Sequence, residues 1–122
     1  MNLKSGANIS HIHPLLIRAN LIIDRLWYAF FPEDLDGATI TSGHEGNSSD
    51  GVHVPTSKHY VVNCMSGYGE AEDFRINDVL QWKATLFCNV LWQTLFVNLG
   101  DHFTVFAENI LKQDAHVHLQ IK

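Results

Sequence analysis

The sequence has no cluster of basic residues, no cysteine motif and no long uncharged apolar run. Eight lysines and arginines stand against thirteen acidic residues, which gives a formal net charge of −5. Nucleic acid is therefore a poor candidate partner, because phosphate contacts need clustered Lys and Arg. The two cysteines, Cys64 and Cys88, form no CxxC pair, and the apolar setting of Cys88 favours a buried free thiol.

The apolar stretch near the N-terminus is too often interrupted to be a membrane span or a secretion signal. It covers residues 14–31 and contains Arg18, Asn20, Asp24 and Arg25. A spanning helix needs about 20 consecutive apolar residues, and a signal peptide needs an uninterrupted apolar centre. We therefore expect a protein without a membrane span, made in a cytoplasm without a signal peptide.

Two helices are predicted from the spacing of apolar residues. The first covers about residues 14–30 and ends before Pro32. The second begins at a cap formed by Asn77 and Asp78 and continues to Leu99. Its apolar stripe is predicted to contain Val79, Trp82, Leu86, Phe87, Val90, Leu91 and Phe96.

Four strands are predicted between and after these helices. They cover residues 38–43, 69–76, 102–108 and 115–121, and the last two form a hairpin. Composition and length indicate one folded domain over residues 1–122 with a single core. The predicted fold is α+β, a small antiparallel sheet with helices packed against it.

Strand alternation groups a set of polar side chains on one face of the sheet. In the last strand His116, His118 and Gln120 point one way, and in the second strand Asp73 shares a face with Arg75. Two imidazoles and a carboxylate are enough for a catalytic zinc site, which takes three protein ligands and leaves a position for water. A lone His-x-His is a weak signal, because strands also place histidine on wet faces.

Three separated motifs resemble those of the zinc peptidases that cleave bacterial cell-wall peptides. These are the D-alanyl-D-alanine carboxypeptidases and their phage relatives, which share a fold with the hedgehog signalling domain. The family pattern is Ser-x-His, Gly-x-Ala-x-Asp and His-x-His, and the chain has 57–59 (SKH), 69–73 (GEAED) and 116–118 (HVH) in that order. The resemblance extends from residue 14 to the end of the chain and implies that fold with its zinc cleft.

The resemblance also implies an activity and a set of site residues. It implies a zinc metallopeptidase that hydrolyses peptidoglycan stem peptides as a D-Ala-D-Ala carboxypeptidase or an L-Ala-D-Glu endopeptidase. A phage origin is expected, so the enzyme, an endolysin, would act on the cell wall after release or as part of a virion. The implied zinc ligands are His59, Asp73 and His118. Asp114 or Glu108 would accept a proton from the attacking water, and His116 would stabilise the oxyanion.

Three departures from the family pattern keep other functions open. Residues 61–68 interrupt the pattern between its first two motifs and are expected to loop out. Many members of the family have an arginine soon after the position of residues 41–43, and this chain has none there. His53 matches the pattern of the phage-like and hedgehog-like branches instead. In one alignment of the motif, Lys112 occupies the position of the family's catalytic acid. The alternatives are a non-catalytic zinc-binding domain and a structural virion protein that retains the fold.

The remaining histidines are interpreted as surface or loop residues. His11 and His13 flank the start of the first helix. Lys58 is expected to be solvated. His44 and Glu45 are candidates for lining the cleft, and a plain loop accounts for them equally well.

Overall fold

A computed structural model describes residues 1–44 and 54–122, and within them two helices pack on a five-stranded sheet. Neither of these helices is long and apolar enough to cross a membrane. In chain order the elements are β1 Asn2–Leu3, α1 Pro14–Phe30, β2 Thr39–Ser42, a 3₁₀ turn at Val61–Asn63, β3 Ala71–Arg75, α2 Gln81–Leu99, β4 Phe103–Glu108 and β5 His116–Ile121. The predicted α+β class is confirmed, and the four predicted strands lie within two residues of the observed ones.

The prediction of an antiparallel sheet needs a correction. The strand order is β1-β2-β3-β5-β4, and β1 runs parallel to β2 while the other neighbours are antiparallel. The sheet is therefore mixed. β1 was not predicted, because two residues are too few to show an alternating pattern.

The first helix follows its sequence signals closely. Pro14 occupies its first turn, and Nδ1 of His13 accepts a hydrogen bond from the backbone N–H of Leu15 at 3.0 Å. His13 is thus a half-buried helix cap, rather than the surface residue that was expected. The helix ends at Phe30, and its buried face is made by Leu16, Ala19, Ile23 and Trp27.

The second helix differs from its prediction at its start and in its buried face. It begins at Gln81 after Leu80, and Asp78 has a φ of 56°, so residues 77–78 do not cap it. Three residues of the predicted stripe are exposed: Trp82 at 64%, Leu86 at 45% and Phe96 at 46%. The core side consists of Ala84, Phe87, Cys88, Leu91 and Leu95.

The core lies between one face of the sheet and the two helices. Phe74 of β3, Ile76 directly after it, and Val117 and Leu119 of β5 are buried on this face against the apolar sides of both helices. Cys88 is a free buried thiol, as predicted, and burial raises its pKa to about 11. The alternate residues of the same strands are left for the opposite face of the sheet.

Residues 61–68 form an exposed excursion beside the sheet. None of them is buried, and the segment contains only the short 3₁₀ turn. The expectation that they loop out is confirmed. The insertion therefore adds no core, and the chain returns through Gly69 to begin β3.

Candidate metal centre

The pairing of β3 with β5 brings the first two ligand candidates together. Asp73 and His118 are direct cross-strand partners, and their side chains lie on the face of the sheet away from the helices. Nδ1 of His118 lies 2.7 Å from Oδ1 of Asp73, and its Nε2 lies 2.9 Å from Oε1 of Gln120. Each ring nitrogen of His118 is therefore within hydrogen-bond distance of a side-chain oxygen atom.

The third candidate, His59, arrives from the segment that precedes the excursion. Its backbone N–H donates to Oγ of Ser57 at 3.1 Å, which gives the serine of the Ser-x-His motif a structural role. Its Nδ1 donates to the carbonyl of Gly43 at 2.7 Å, since a carbonyl oxygen can only accept. This bond fixes the ring so that Nε2 faces Asp73, at 3.2 Å from Oδ2.

The three residues form a buried group that fits a metal ion. One potential ligand atom from each of His59, Asp73 and His118 lies within 4.8 Å of the others, and all three residues are buried. Across residues 1–44 and 54–122, no fourth His, Cys, Asp or Glu joins this group. Two imidazole nitrogens and one carboxylate oxygen match the three protein ligands of a catalytic zinc site.

The electrostatics of the group favour a bound cation. Burial would raise the pKa of Asp73, but hydrogen bonds from His118 and His59 and the charges of these residues outweigh it, and its pKa lies well below the usual range. Burial would lower the pKa of His118, but its contact with the Asp73 carboxylate outweighs this and raises the pKa. Asp73 is therefore ionised, as a metal ligand must be, and a metal that binds an imidazole nitrogen of His118 competes with a proton there.

His59, Asp73 and His118 form the candidate metal-binding group. This group opens into a cleft of about 900 Å³. Side chains of three strands line it in rows across the sheet. One row is Asp73, His118 and Phe106, and the next is Arg75, His116 and Glu108. The Phe106 ring lies 4.8 Å from the His118 ring and covers it on the β4 side.

His116 lies beside the metal-binding group rather than within it. Its Nε2 is 3.9 Å from Oδ1 of Asp73 and 3.9 Å from Oε1 of Glu108. Its Nδ1 donates to the backbone carbonyl of Asp114 at 2.7 Å. Glu108 thus presents its carboxylate to His116, whereas the contact from Asp114 is made by its main chain. Lys112 is exposed in the turn between β4 and β5.

Lys58 was predicted to be solvated, but it is only partly exposed and its charged end is paired. Its Nζ donates to the backbone carbonyl of Ile121 at 2.7 Å and lies 3.4 Å from Oε1 of Glu70. Oε2 of Glu70 in turn accepts from Oγ of Ser66 at 2.6 Å. Lys58, which precedes His59 in the sequence, therefore connects the segment that contains His59 to the end of β5.

One other pair of histidines lies outside the metal-binding group. The rings of His11 and His44 are 5.2 Å apart, and His11 also lies against Tyr68 at 4.9 Å. The predictions for Glu45 and His53 concern residues outside the described part of the chain.

The core face of β3 holds a buried carboxyl group that was not predicted. Glu72 is fully buried, and burial raises its pKa to about 8. Its Oε1 accepts a hydrogen bond from Nδ2 of Asn20 on α1 at 3.1 Å. The alternation of β3 already placed Glu72 with Phe74 and Ile76, which was the available signal.

Comparison of the chain with protein-family models, with curated proteins and with solved structures found no match.

Proposed function

We propose that the protein is a zinc-dependent metallopeptidase that hydrolyses peptide bonds of bacterial peptidoglycan and is encoded by a phage. The observation that carries this proposal is the buried group His59, Asp73 and His118 at the floor of an open cleft. The choice of peptidoglycan and of a phage origin rests on the motif resemblance.

The donor atoms favour zinc over the hard divalent cations. Two imidazole nitrogens and one carboxylate form a set that zinc accepts readily, whereas Ca²⁺ and Mg²⁺ prefer oxygen ligands. The bond from His59 to the Gly43 carbonyl is the kind of outer contact that orients a ligand imidazole. Asp73 is ionised and buried, which adds a negative charge where a cation would bind.

The chain supplies proton transfer and charge stabilisation beside this group. When bound, zinc would supply activation of a water molecule and polarisation of the carbonyl under attack. Glu108 pairs with His116 in the row next to the metal-binding group, with its Oε1 3.9 Å from Nε2 of His116, and its role is to accept a proton. Nε2 of His116 faces the cleft beside Asp73 and Glu108, and the role of His116 is to stabilise a developing negative oxygen.

The proposal is tested with purified peptidoglycan and the zinc-loaded protein. Mass spectrometry should detect stem peptides shortened at D-Ala-D-Ala or cleaved at L-Ala-D-Glu. Asp73→Asn should abolish these products, and circular dichroism should show that this variant remains folded. Zinc-loaded wild-type protein that releases no peptide from any peptidoglycan type would refute the enzymatic proposal.

A non-catalytic zinc-binding domain is the second candidate. The observation that favours it is the position of Glu108, which is 45% exposed on its side chain and lies 3.9 Å from its nearest site neighbour, His116. A catalytic base normally acts at about 2.6–3.2 Å, although unliganded sites are often looser. One equivalent of zinc without hydrolysis would support this candidate.

A further inference from the structure

The solvent side of α2 is apolar and carries almost no charge. Lys83 is the only charged residue of this helix, and its Nζ lies over the Phe31 ring, 5.0 Å from the ring centroid. A surface helix normally carries charged residues on the side that points to water. Here that side has five exposed apolar residues, which define the α2 face: Trp82, Leu86, Trp92, Phe96 and Val97. Such a composition, rich in aromatic residues and poor in charge, is typical of the core of a protein interface.

The residues of the α2 face are placed symmetrically about Asn89. Trp82 and Phe96 lie seven residues before and after it, and Leu86 and Trp92 lie three residues before and after it. Seven residues make about two helical turns, so Trp82, Asn89 and Phe96 follow one line along the helix. Asn89 is exposed at the centre of this line. If two copies of α2 pack antiparallel about a two-fold axis at Asn89, Trp82 of each copy therefore meets Phe96 of the other.

The area of the α2 face is what a small dimer interface needs. Its three aromatic residues are between 40% and 64% exposed, so they leave on the order of 350 Å² accessible, taking about 150–250 Å² for a whole aromatic side chain. Leu86, Val97 and the polar residues between them bring two copies to about 1,200 Å², the lower end of the range for specific interfaces.

The charge of the molecule also favours a second copy as the occupant. The chain has a net charge of −5, so two copies repel each other at most of their surface, but an uncharged face brings no like charges into contact. A membrane surface is a poorer occupant, because helices that lie on membranes carry several Lys and Arg beside their apolar side, and α2 has only Lys83.

We propose that the α2 face binds a second copy of this chain as an antiparallel helix pair with Asn89 at its two-fold axis. The side-chain amide of Asn89 can both donate and accept, so the two Asn89 side chains can hydrogen-bond to each other at the axis. A polar residue at the centre of an apolar helix pair fixes its register. The cleft lies on the face of the sheet away from the helices, so it stays open in both copies.

Sedimentation velocity tests this association. An interface of this size is expected to have a Kd in the micromolar range, so wild type should change from monomer to dimer between about 1 and 200 µM. Asn89→Glu brings two negative charges together at the axis and should raise the Kd by about 10- to 100-fold. Met65→Glu is the control, because it adds the same charge at a fully exposed residue outside α2, and it should dimerise like wild type. Circular dichroism checks that both variants are folded.

Two results would overturn the proposal. The first is wild-type protein that stays monomeric throughout this range, and a shift of its tryptophan fluorescence on phosphatidylcholine vesicles would then assign the α2 face to a membrane. The second is an Asn89→Glu variant that dimerises as well as Met65→Glu, which would place the interface elsewhere on the molecule.

Mixtures of variants with opposite charges test which residues meet. Trp82→Glu and Phe96→Lys should each dimerise about 10-fold more weakly or worse, because each buries an unpaired charge. Mixing these two should restore association, because the introduced carboxylate of one copy meets the introduced ammonium group of the other. Trp82→Glu mixed with Trp82→Lys is the control and should stay monomeric, since the two Trp82 positions do not meet in the antiparallel pair. Equal behaviour of the two mixtures, or recovery in the control alone, would overturn the antiparallel pairing.

Discussion

Asp73 and His118 face each other across the β3–β5 ladder, and Oδ1 of one lies 2.7 Å from Nδ1 of the other. Their approach is set by strand register, because a shift of one residue would move one of them to the core face. The core faces of the same strands hold Phe74 and Val117, which are fully buried. The hydrophobic core therefore fixes the geometry of the metal-binding group on the other side of the sheet.

The first prediction concerns metal content. Protein purified without added metal should contain about one equivalent of zinc per chain, measured by elemental analysis. His118→Ala should lose the metal, because two remaining ligands bind zinc poorly. His102→Ala is the control, since His102 precedes β4 outside the group, and it should retain zinc. Full occupancy in His118→Ala would show that the metal is bound elsewhere.

The second prediction identifies the proton acceptor. Glu108→Gln should lower the rate of hydrolysis by about 10²–10⁴-fold, the usual effect of removing a general base, while zinc content stays the same. Asp114→Asn should have a smaller effect, because its contact with His116 is made by the backbone carbonyl. Single-turnover rates on one peptide measure both variants. A larger loss of rate in Asp114→Asn than in Glu108→Gln would show that Asp114, and not Glu108, accepts the proton.

The sheet face that carries the candidate site was predictable from local patterns. Alternation alone separated His116 and His118 from Val117 and Leu119, because the side-chain period of a strand is two. Alternation likewise placed Asp73 and Arg75 together. These assignments needed no knowledge of distant contacts.

The errors arose where the pattern was ambiguous or the contact was distant. α2 has apolar residues on most of its sides, so periodicity did not distinguish exposed Trp82 from buried Ala84. The partners of Lys58 lie at Glu70 and at Ile121, and the second of these is 63 residues away. Such a contact appears only after the sheet has formed.

The third prediction concerns the bond between Lys58 and the end of β5. Lys58→Met should lower the free energy of unfolding by about 1–3 kcal/mol, because it leaves the buried Glu70 without its cation. Lys122→Met is the matched control, since the pair of Lys122 with Asp101 is exposed and should contribute about 0–1 kcal/mol. Urea denaturation measures both. Equal effects would mean that the Lys58 contact is no stronger than a surface pair.

The last prediction follows from the buried carboxyl group of Glu72. Its pKa is about 8 in the folded protein against an ordinary value of 4.5, because burial disfavours its charged form. Between these values the folded state holds a proton that the unfolded state has released. Stability from this group is therefore complete below about pH 4.5 and is lost as pH rises to about 8, at up to about 1.4 kcal/mol per pH unit.

Glu72→Gln removes this titration while keeping a side chain that can contact Asn20. Urea denaturation at pH 5, 6, 7 and 8 should show the free energy of unfolding of wild type falling relative to that of Glu72→Gln. The comparison between the two proteins cancels the groups that titrate in both, including His118. The control Glu33→Gln, which changes an exposed carboxylate, should follow the wild-type pH dependence. If Glu72→Gln also runs parallel to wild type, Glu72 is ionised in the folded state, and the core accommodates its charge.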